Sequence, residues 1–155
     1  VVDANQGWDF ELLKAVIPKC VGLNLGMIEQ PLPRGGDEML EGFDSPITLA
    51  ADESCLDTSE LEVAVRRYSM INIKLDKTGG LTEALKLAYA AKAKGCKLMV
   101  GNMVGTSLGM APAFVIAQLC DFVDIDGPLL LKYDHPLGLD YEKGVVSALD
   151  PRLWG

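Results

Sequence analysis

Short apolar runs recur at regular intervals along the chain, and this recurrence constrains the fold more than any other feature. Each run ends in or next to a polar residue. The runs and their polar residues are Val1–Val2 with Asp3, Gly26–Ile28 with Glu29, Ile47–Ala50 with Asp52, Met70–Ile73 with Lys74, Lys97–Val100 with Asn102, and Phe122–Ile125 with Asp124. Successive polar residues lie 22 to 28 residues apart. Such a spacing holds a strand, a helix of about 10–12 residues and two loops, so it predicts repeated βαβ units and a parallel sheet.

Two α/β architectures accommodate six consecutive βα steps: a doubly wound open sheet and part of a (β/α)8 TIM barrel. All six strand ends carry a group capable of chemistry, which favours a barrel, where such ends converge on one mouth. A complete barrel has about 250 residues, and this chain has 155. We therefore expect a partial barrel of about six βα units, corresponding to strands 3–8. It would form one domain over residues 1–155 without an internal linker.

Composition limits the partners. Lys and Arg number 14 against 22 Asp and Glu, a formal charge of −8, so we expect neither nucleic-acid nor anionic-membrane binding, which needs clustered cations. No apolar run reaches the roughly 18–20 residues of a membrane span, and no signal peptide is recognisable. The four cysteines form no CxxC pair, which predicts reduced thiols in a cytoplasmic protein.

The chain begins Val1-Val2-Asp3, without an initiator Met and inside a predicted strand. We therefore expect it to be a piece of a longer protein that lacks the first two barrel strands. An incomplete barrel leaves two open sheet edges, which invite pairing with another chain. Self-association, or a further N-terminal portion, is the expected consequence.

Asp3, Glu29 and Asp52 close three successive predicted strands. Their carboxylates would lie near one another, and their mutual repulsion would be costly without a cation. Because all-oxygen ligation favours a hard divalent ion, the three residues predict a Mg²⁺ site.

Lys74 ends an apolar strand, although lysine is rarely buried without a partner. Beside a divalent cation its pKa should fall, which suits a general base. Lys77 is expected instead to extend its ammonium group to solvent.

Asp124 and Asp126 should share one face because side chains alternate along a strand. A metal and a substrate ammonium group are both open uses for the pair, and an acidic turn before Gly127-Pro128 is the simpler interpretation.

Five segments resemble the enolase superfamily, within it the muconate-lactonizing subgroup, and most closely the dipeptide epimerases. They are Asp3–Trp8, Ile28–Leu32, Ala51–Ser54, Asn72–Gly80 and Asp124–Pro128. The first four are shared by the subgroup, and the Asp-x-Asp pair points to the epimerases. The resemblance implies Mg²⁺ as cofactor, held by Asp3, Glu29 and Asp52, with Asn5 contacting these ligands rather than the metal.

The resemblance also implies a reaction. Lys74 would be one of two lysines that remove and return the α-proton next to a substrate carboxylate, through an enediolate. Asp124 and Asp126 would hold the α-ammonium group of a dipeptide, and Asn102 would line its pocket. The family's Lys-x-Lys pair and N-terminal capping domain have no counterpart in this sequence, so we expect this chain alone to be inactive.

Two alternatives remain open. The chain could come from an o-succinylbenzoate synthase or a cycloisomerase of the same superfamily, although the paired carboxylates Asp124 and Asp126 would repel an anionic substrate. It could also be a non-catalytic metal-binding fragment.

Overall fold

Six parallel strands form the centre of the molecule. The computed structural model describes residues 1–154. The strands are β1 (Val2–Asp3), β2 (Met27–Glu29), β3 (Thr48–Ala51), β4 (Met70–Ile73), β5 (Lys97–Val100) and β6 (Phe122–Val123). They pair in chain order, each parallel to the next. A doubly wound sheet reverses its strand order at a switch point, so this order excludes that architecture.

The sheet is curled. A methyl group added to Gly26, just before β2, would lie 3.1 Å from the ring of Phe122 in β6. Strands four positions apart therefore approach each other across the concave face. That face is filled at this level by Met27, Ala50, Met70 and Met99, with Phe122 packed against them. Inward-facing side chains fill a TIM barrel in the same way, and the predicted partial barrel is confirmed.

Helices cover the convex face and enclose the larger apolar core. They are α1 (Phe10–Val21), α2 (Leu61–Ala64), α3 (Leu75–Thr78), α4 (Leu81–Ala93) and α5 (Ser107–Ala117), with 3₁₀ turns at Glu38–Leu40, Thr58–Glu60 and Gly127–Leu130. Among residues 1–154, no helix is both long and apolar enough to cross a membrane.

The C-terminal segment is tied to α5 and to the end of β6. It contains a hairpin of β7 (Tyr141–Glu142) and β8 (Val145–Val146). Asp134 accepts a hydrogen bond from the backbone N–H of Ser107 at 2.8 Å, so it caps the first turn of α5 from outside the helix. The Tyr141 hydroxyl donates to the carbonyl of Ile125 at 2.7 Å. These contacts position the segment that follows β6.

Candidate active site

The carboxyl ends of the parallel strands meet at one mouth. In the sheet register Asp3 lies opposite Glu29, and Glu29 lies opposite Ala50, two residues before Asp52. Because the strands are parallel and neighbouring, polar residues that close them are brought to the same end. The predicted site residues from β1 to β4 are therefore adjacent.

Glu29, Asp52 and Lys74 form a buried charged group. The Lys74 Nζ lies 2.6 Å from Asp52 Oδ2 and 3.9 Å from Glu29 Oε1. The side chains of Lys74, Asp52 and Glu29 are 13%, 8% and 6% exposed. The Lys74 ammonium therefore neutralises two carboxylates that little water reaches.

Asp3 stands at the rim of this group and is exposed. Its carboxylate accepts the backbone N–H of Asn5 at 2.8 Å, and Asn5 has a left-handed backbone with φ of 44°, which asparagine tolerates better than most residues. Asn5 thus supports Asp3 through its backbone rather than through its amide side chain.

The electrostatics of Glu29 reflect this crowding. Burial, with smaller contributions from the charges of Asp52 and Asp3, raises the pKa of Glu29 to about 7, while a hydrogen bond from Asn72 opposes the shift. Asn72 Nδ2 donates to Glu29 Oε1 at 2.5 Å. The charges of Asp52 and Asp3 thus add to the rise in the pKa of Glu29, as expected of neighbouring carboxylates that repel one another.

The three carboxylates do not form a ready-made metal cage. Over residues 1–154, no three His, Cys, Asp or Glu side chains are grouped closely enough to hold an ion. Lys74 instead lies against Asp52 and near Glu29. The donors still suit a hard cation, since all are carboxylate oxygens. In addition, the nearby Asn72 Oδ1 is buried without a hydrogen-bond partner.

The neighbours of Lys74 favour its charged form. Burial lowers its pKa, but the hydrogen bond and charge of Asp52, together with Glu29, outweigh burial, and the pKa of Lys74 is raised. The protein's own carboxylates are its neighbours here, and they favour the charged ammonium form.

Lys77 does not reach solvent, so that prediction is wrong. Its side chain is 8% exposed. Its ammonium group contacts the Asp52 carboxylate and also donates to the carbonyls of Asp52 at 2.7 Å and Asn72 at 2.9 Å. The four-residue helix α3 follows β4, and its turn places Lys77 over the end of β4. Burial lowers the pKa of Lys77 despite the contact with Asp52.

Asn72 was not among the predicted site residues. The alternation of side chains along a strand could have identified it, because Asn72 lies two positions before Lys74 in β4 and so shares its face.

Asp124 and Asp126 lie together at the end of β6, exposed on either side of buried Ile125. Partial burial, followed by the neighbouring charge of Asp126, raises the pKa of Asp124, and the charge of Lys74 acts in the opposite direction. Asp124 is thus within electrostatic reach of Lys74. Two adjacent carboxylates in this situation attract a cation.

Asn102 holds the loop that carries the acidic pair. Its Nδ2 donates to the Asp124 carbonyl at 2.8 Å, and its Oδ1 accepts the Gly127 N–H at 3.0 Å. A Cβ at Gly127 would lie only 2.3 Å from Asn102 Oδ1, so the approach requires glycine there. The Asn102 amide therefore fixes the loop on both sides of Asp126.

The chain matches the enolase C-terminal domain-like family over residues 1–149. It therefore belongs to that family, and its curled sheet is a fragment of an enolase-superfamily TIM barrel.

Among curated relatives, it is 48% identical over 155 residues to an N-acetyl-D-glutamate racemase of Pseudoalteromonas, covering 100% of this chain and 49% of that protein. It is 45% identical over 144 residues to the L-Ala-D/L-Glu epimerase of Escherichia coli, covering 93% of this chain and 45% of that enzyme. The chain thus spans about half the length of the curated relatives it matches.

Solved structures agree. An enolase family member from Agrobacterium tumefaciens, described as homologous to dipeptide epimerases and containing sodium and L-Ala-L-Glu, matches with a TM-score of 0.95 and 49% identity, covering 99% of this chain and 47% of that one. A dipeptide epimerase from Methylococcus capsulatus, complexed with Mg and L-Arg-D-Lys, matches with a TM-score of 0.86 and 32% identity, over 92% of this chain and 43% of that one.

Proposed function

We propose that this chain is the catalytic portion of a Mg²⁺-dependent dipeptide epimerase. One observation carries the proposal: the Lys74 ammonium contacts the Asp52 carboxylate and lies within electrostatic reach of Asp124. A proton-transfer group thus contacts one of the oxygen donors, and its charge also acts on Asp124 of a second anionic site. The relatives named as dipeptide epimerases support this interpretation.

Each group has a separate task in the proposed reaction. Asp3, Glu29 and Asp52 would hold Mg²⁺, which when bound supplies positive charge to the substrate carboxylate as negative charge develops on it. Lys74 takes the α-proton next to that carboxylate on its Nζ. Asp124 and Asp126 bind the substrate ammonium group, so the dipeptide is oriented by charge at both ends.

Lys74 must lose its proton before it can act as a base. Its raised pKa means that the carboxylates now bonded to it must be neutralised by another cation. The proposed metal site and the base are thus linked through Asp52.

Inversion of a carbon centre needs acid–base groups on both faces of the substrate, and this chain contributes Lys74 to one face. We therefore propose that the chain alone exchanges the α-proton of at most one epimer and does not epimerise.

The test is deuterium incorporation from D₂O with MgCl₂, using L-Ala-L-Glu and L-Ala-D-Glu. It is run with the chain alone and with a fusion protein in which the chain follows the N-terminal half of the E. coli epimerase. We expect the fusion protein to label both epimers with deuterium and to interconvert them, and the chain alone to label at most one epimer and to interconvert neither. Epimerised product from the chain alone would contradict the proposal.

The matched control compares Lys74→Met with Lys86→Met. Lys86 is an exposed helical lysine on α4, 66% accessible, so its loss should not change exchange. Loss of a general base lowers the rate about 10²–10⁴-fold, and we expect the rate of deuterium exchange by Lys74→Met to fall by that factor. Equal exchange by both variants would remove Lys74 from the mechanism.

A second candidate is an N-acyl amino acid racemase, favoured by the 48% identity to an N-acetyl-D-glutamate racemase. The two candidates differ at the second anionic site, because an N-acyl group has no ammonium for Asp124 and Asp126 to bind. Exchange of L-Ala-L-Glu in preference to N-acetyl-L-glutamate supports the dipeptide, and the reverse preference supports the racemase.

The remaining alternatives are separated by metal binding and by substrate panel. A non-catalytic fragment that does not bind Mg²⁺ would show no Mg²⁺-dependent rise in melting temperature. A synthase or cycloisomerase would act on succinylbenzoate precursors or related acids rather than on dipeptides.

A further inference from the structure

A buried polar cluster lies directly beneath the candidate metal ligands, and the proposed reaction does not use it. We call it the Gln30 cluster; its members are Gln30, Asp37, Ser54, Arg67 and Tyr68. Gln30, Asp37 and Tyr68 are 0%, 1% and 3% exposed. Buried polar groups are costly unless satisfied, so a network of this size has a structural or functional reason.

The Gln30 amide binds the backbone around Asp52. Its Oε1 accepts the N–H of Asp52 at 2.9 Å and the N–H of Ser54 at 3.0 Å. Gln30 also follows Glu29 in the chain, and its backbone N–H donates to the Ala50 carbonyl at 2.9 Å. Gln30 is thus covalently joined to the candidate metal ligand Glu29 and hydrogen-bonded to the backbone of the candidate ligand Asp52.

The remainder of the cluster fixes which way the Gln30 amide points. Arg67 pairs with Asp37 Oδ1 at 2.7 Å. Asp37 Oδ2 can only accept, and it receives the hydroxyl protons of Tyr68 at 2.7 Å and Ser54 at 2.6 Å. Both hydroxyls therefore turn lone pairs toward Gln30 Nε2, which lies 3.1 Å and 2.8 Å from them. The amide nitrogen must face the hydroxyls, and Oε1 must face Asp52.

The backbone of Gln30 departs from the strand to make these contacts. Its φ is +32°, a left-handed value that is costly for a residue other than glycine and persists where the surroundings enforce it. The Nε2 donation to the Leu32 carbonyl at 2.8 Å closes the turn. Strain of this kind is typical of functional positions.

We propose that Gln30 is a positioning residue that fixes Asp52 relative to Glu29 for divalent-cation binding. Asp37 and Tyr68 act through Gln30 by fixing the orientation of its amide, with Oε1 toward Asp52. The inference rests on the Mg²⁺ site of the proposed function. Residues that orient metal ligands from outside the coordination shell commonly affect metal affinity by 10–100-fold.

The test is a calorimetric titration of the chain with MgCl₂, at a temperature where circular dichroism shows every variant folded. Gln30→Met keeps the length of the side chain and removes its amide. We expect the Mg²⁺ Kd to rise about tenfold or more. Tyr68→Phe removes one of the two hydroxyls that orient the amide, so its Kd should rise by a smaller factor.

Two control variants separate positioning from stability. Gln118→Met makes the same chemical change at an exposed glutamine of the α5 terminus, and Leu87→Ala removes buried apolar volume in α4. Both should leave the Kd unchanged, although Leu87→Ala lowers the melting temperature. The amide proton of Asp52 should exchange faster with solvent in Gln30→Met than in either control.

The outcomes distinguish the two proposals. Tight Mg²⁺ binding by the unsubstituted chain together with an unchanged Kd in Gln30→Met overturns the role of Gln30 and leaves the proposed function standing. No Mg²⁺ binding by the unsubstituted chain overturns both. If Gln30→Met does not fold, Tyr68→Phe carries the test, and an unchanged Kd there overturns the inference.

Discussion

The two acidic regions of the barrel mouth are built in opposite ways. At the ends of β2 to β4, Glu29 and Asp52 are buried and bonded to lysines of this chain. At the end of β6, Asp124 and Asp126 are exposed, and none of the ion pairs between described residues includes them. In the first region, lysines of this chain neutralise the carboxylates. In the second region, the carboxylates face solvent.

This difference separates two uses of a carboxylate. A buried carboxylate bonded to lysines contributes to folding, because removing one partner leaves uncompensated charge. An exposed carboxylate pair costs the fold little and remains available to an external cation. We therefore expect substitutions in the first region to act mainly on stability and substitutions in the second mainly on substrate selection.

The largest effect is expected from Asp52→Asn. The variant leaves the ammonium groups of Lys74 and Lys77 without their closest carboxylate, and Lys77 is almost fully buried. Breaking a buried ion pair on one side costs about 3–5 kcal/mol, and the free energy of unfolding in urea measures it. Asp126→Asn is the matched control and should change it by less than about 0.5 kcal/mol, as exposed substitutions do. Equal losses in the two variants would contradict the contrast between the regions.

Asp126→Asn should act instead on the substrate. In the fusion protein it removes one of the two carboxylates proposed to bind the dipeptide ammonium group, an interaction of about 1.5–3 kcal/mol. We expect KM for L-Ala-L-Glu to rise about tenfold or more, with a smaller change in kcat. Exchange of N-acetyl-L-glutamate, which carries no ammonium group, is the internal control. A parallel loss for both substrates would assign Asp126 to structure rather than to recognition.

A smaller effect is expected from Asn102→Ala, which loosens the second region without changing its charge. The variant loses two hydrogen bonds, to Asp124 and to Gly127, each contributing about 0.5–1.5 kcal/mol. Unfolding measurements should show a loss of about 1–2 kcal/mol. KM for L-Ala-L-Glu should also rise, because Asp124 and Asp126 are no longer held in place. Stability lost without any change in KM would limit Asn102 to a structural role.

The sequence was sufficient for the sheet and for the residues at its strand ends, because both follow from local periodicity. Strand spacing predicted repeated βα units, and the polar residue at every strand end favoured the barrel over an open sheet. The position of Lys74 at the end of β4 predicted that it lies at the barrel mouth, where it contacts Asp52. Lys77 could not be predicted in the same way. A lysine after a strand exit ordinarily extends to solvent, and only the turn of α3 brings it back onto Asp52.

The Gln30 cluster was beyond prediction for a related reason. The hydrogen bonds between its members join residues 14 to 38 positions apart in the chain, such as Ser54 with Tyr68 and Gln30 with Tyr68. No local period or spacing links such residues. Their meeting depends on how the loops after β2 and β3 pack, and that packing is a property of the tertiary structure.

The smallest expected effect tests whether the second region depends on the C-terminal segment. Asp134 is largely exposed. Its slight burial acts to raise its pKa, but the hydrogen bonds from Ser107 outweigh burial and lower the pKa of Asp134. A carboxyl group with a lowered folded-state pKa stabilises the fold above its unfolded pKa, and this contribution is lost as pH falls through the folded value. Asp134→Asn keeps an acceptor oxygen but removes the charge, so it should cost about 0.3–1 kcal/mol near neutral pH, the usual size of a charge effect at a helix N-terminus. The free energies of unfolding of the variant and of the unsubstituted chain should converge between pH 6 and pH 3, as Asp134 becomes protonated.

Because Tyr141 joins the same segment to Ile125, between Asp124 and Asp126, the variant should also raise KM for L-Ala-L-Glu slightly. A gap that stays constant down to pH 3 would show that the Asp134 charge does not hold this segment in place.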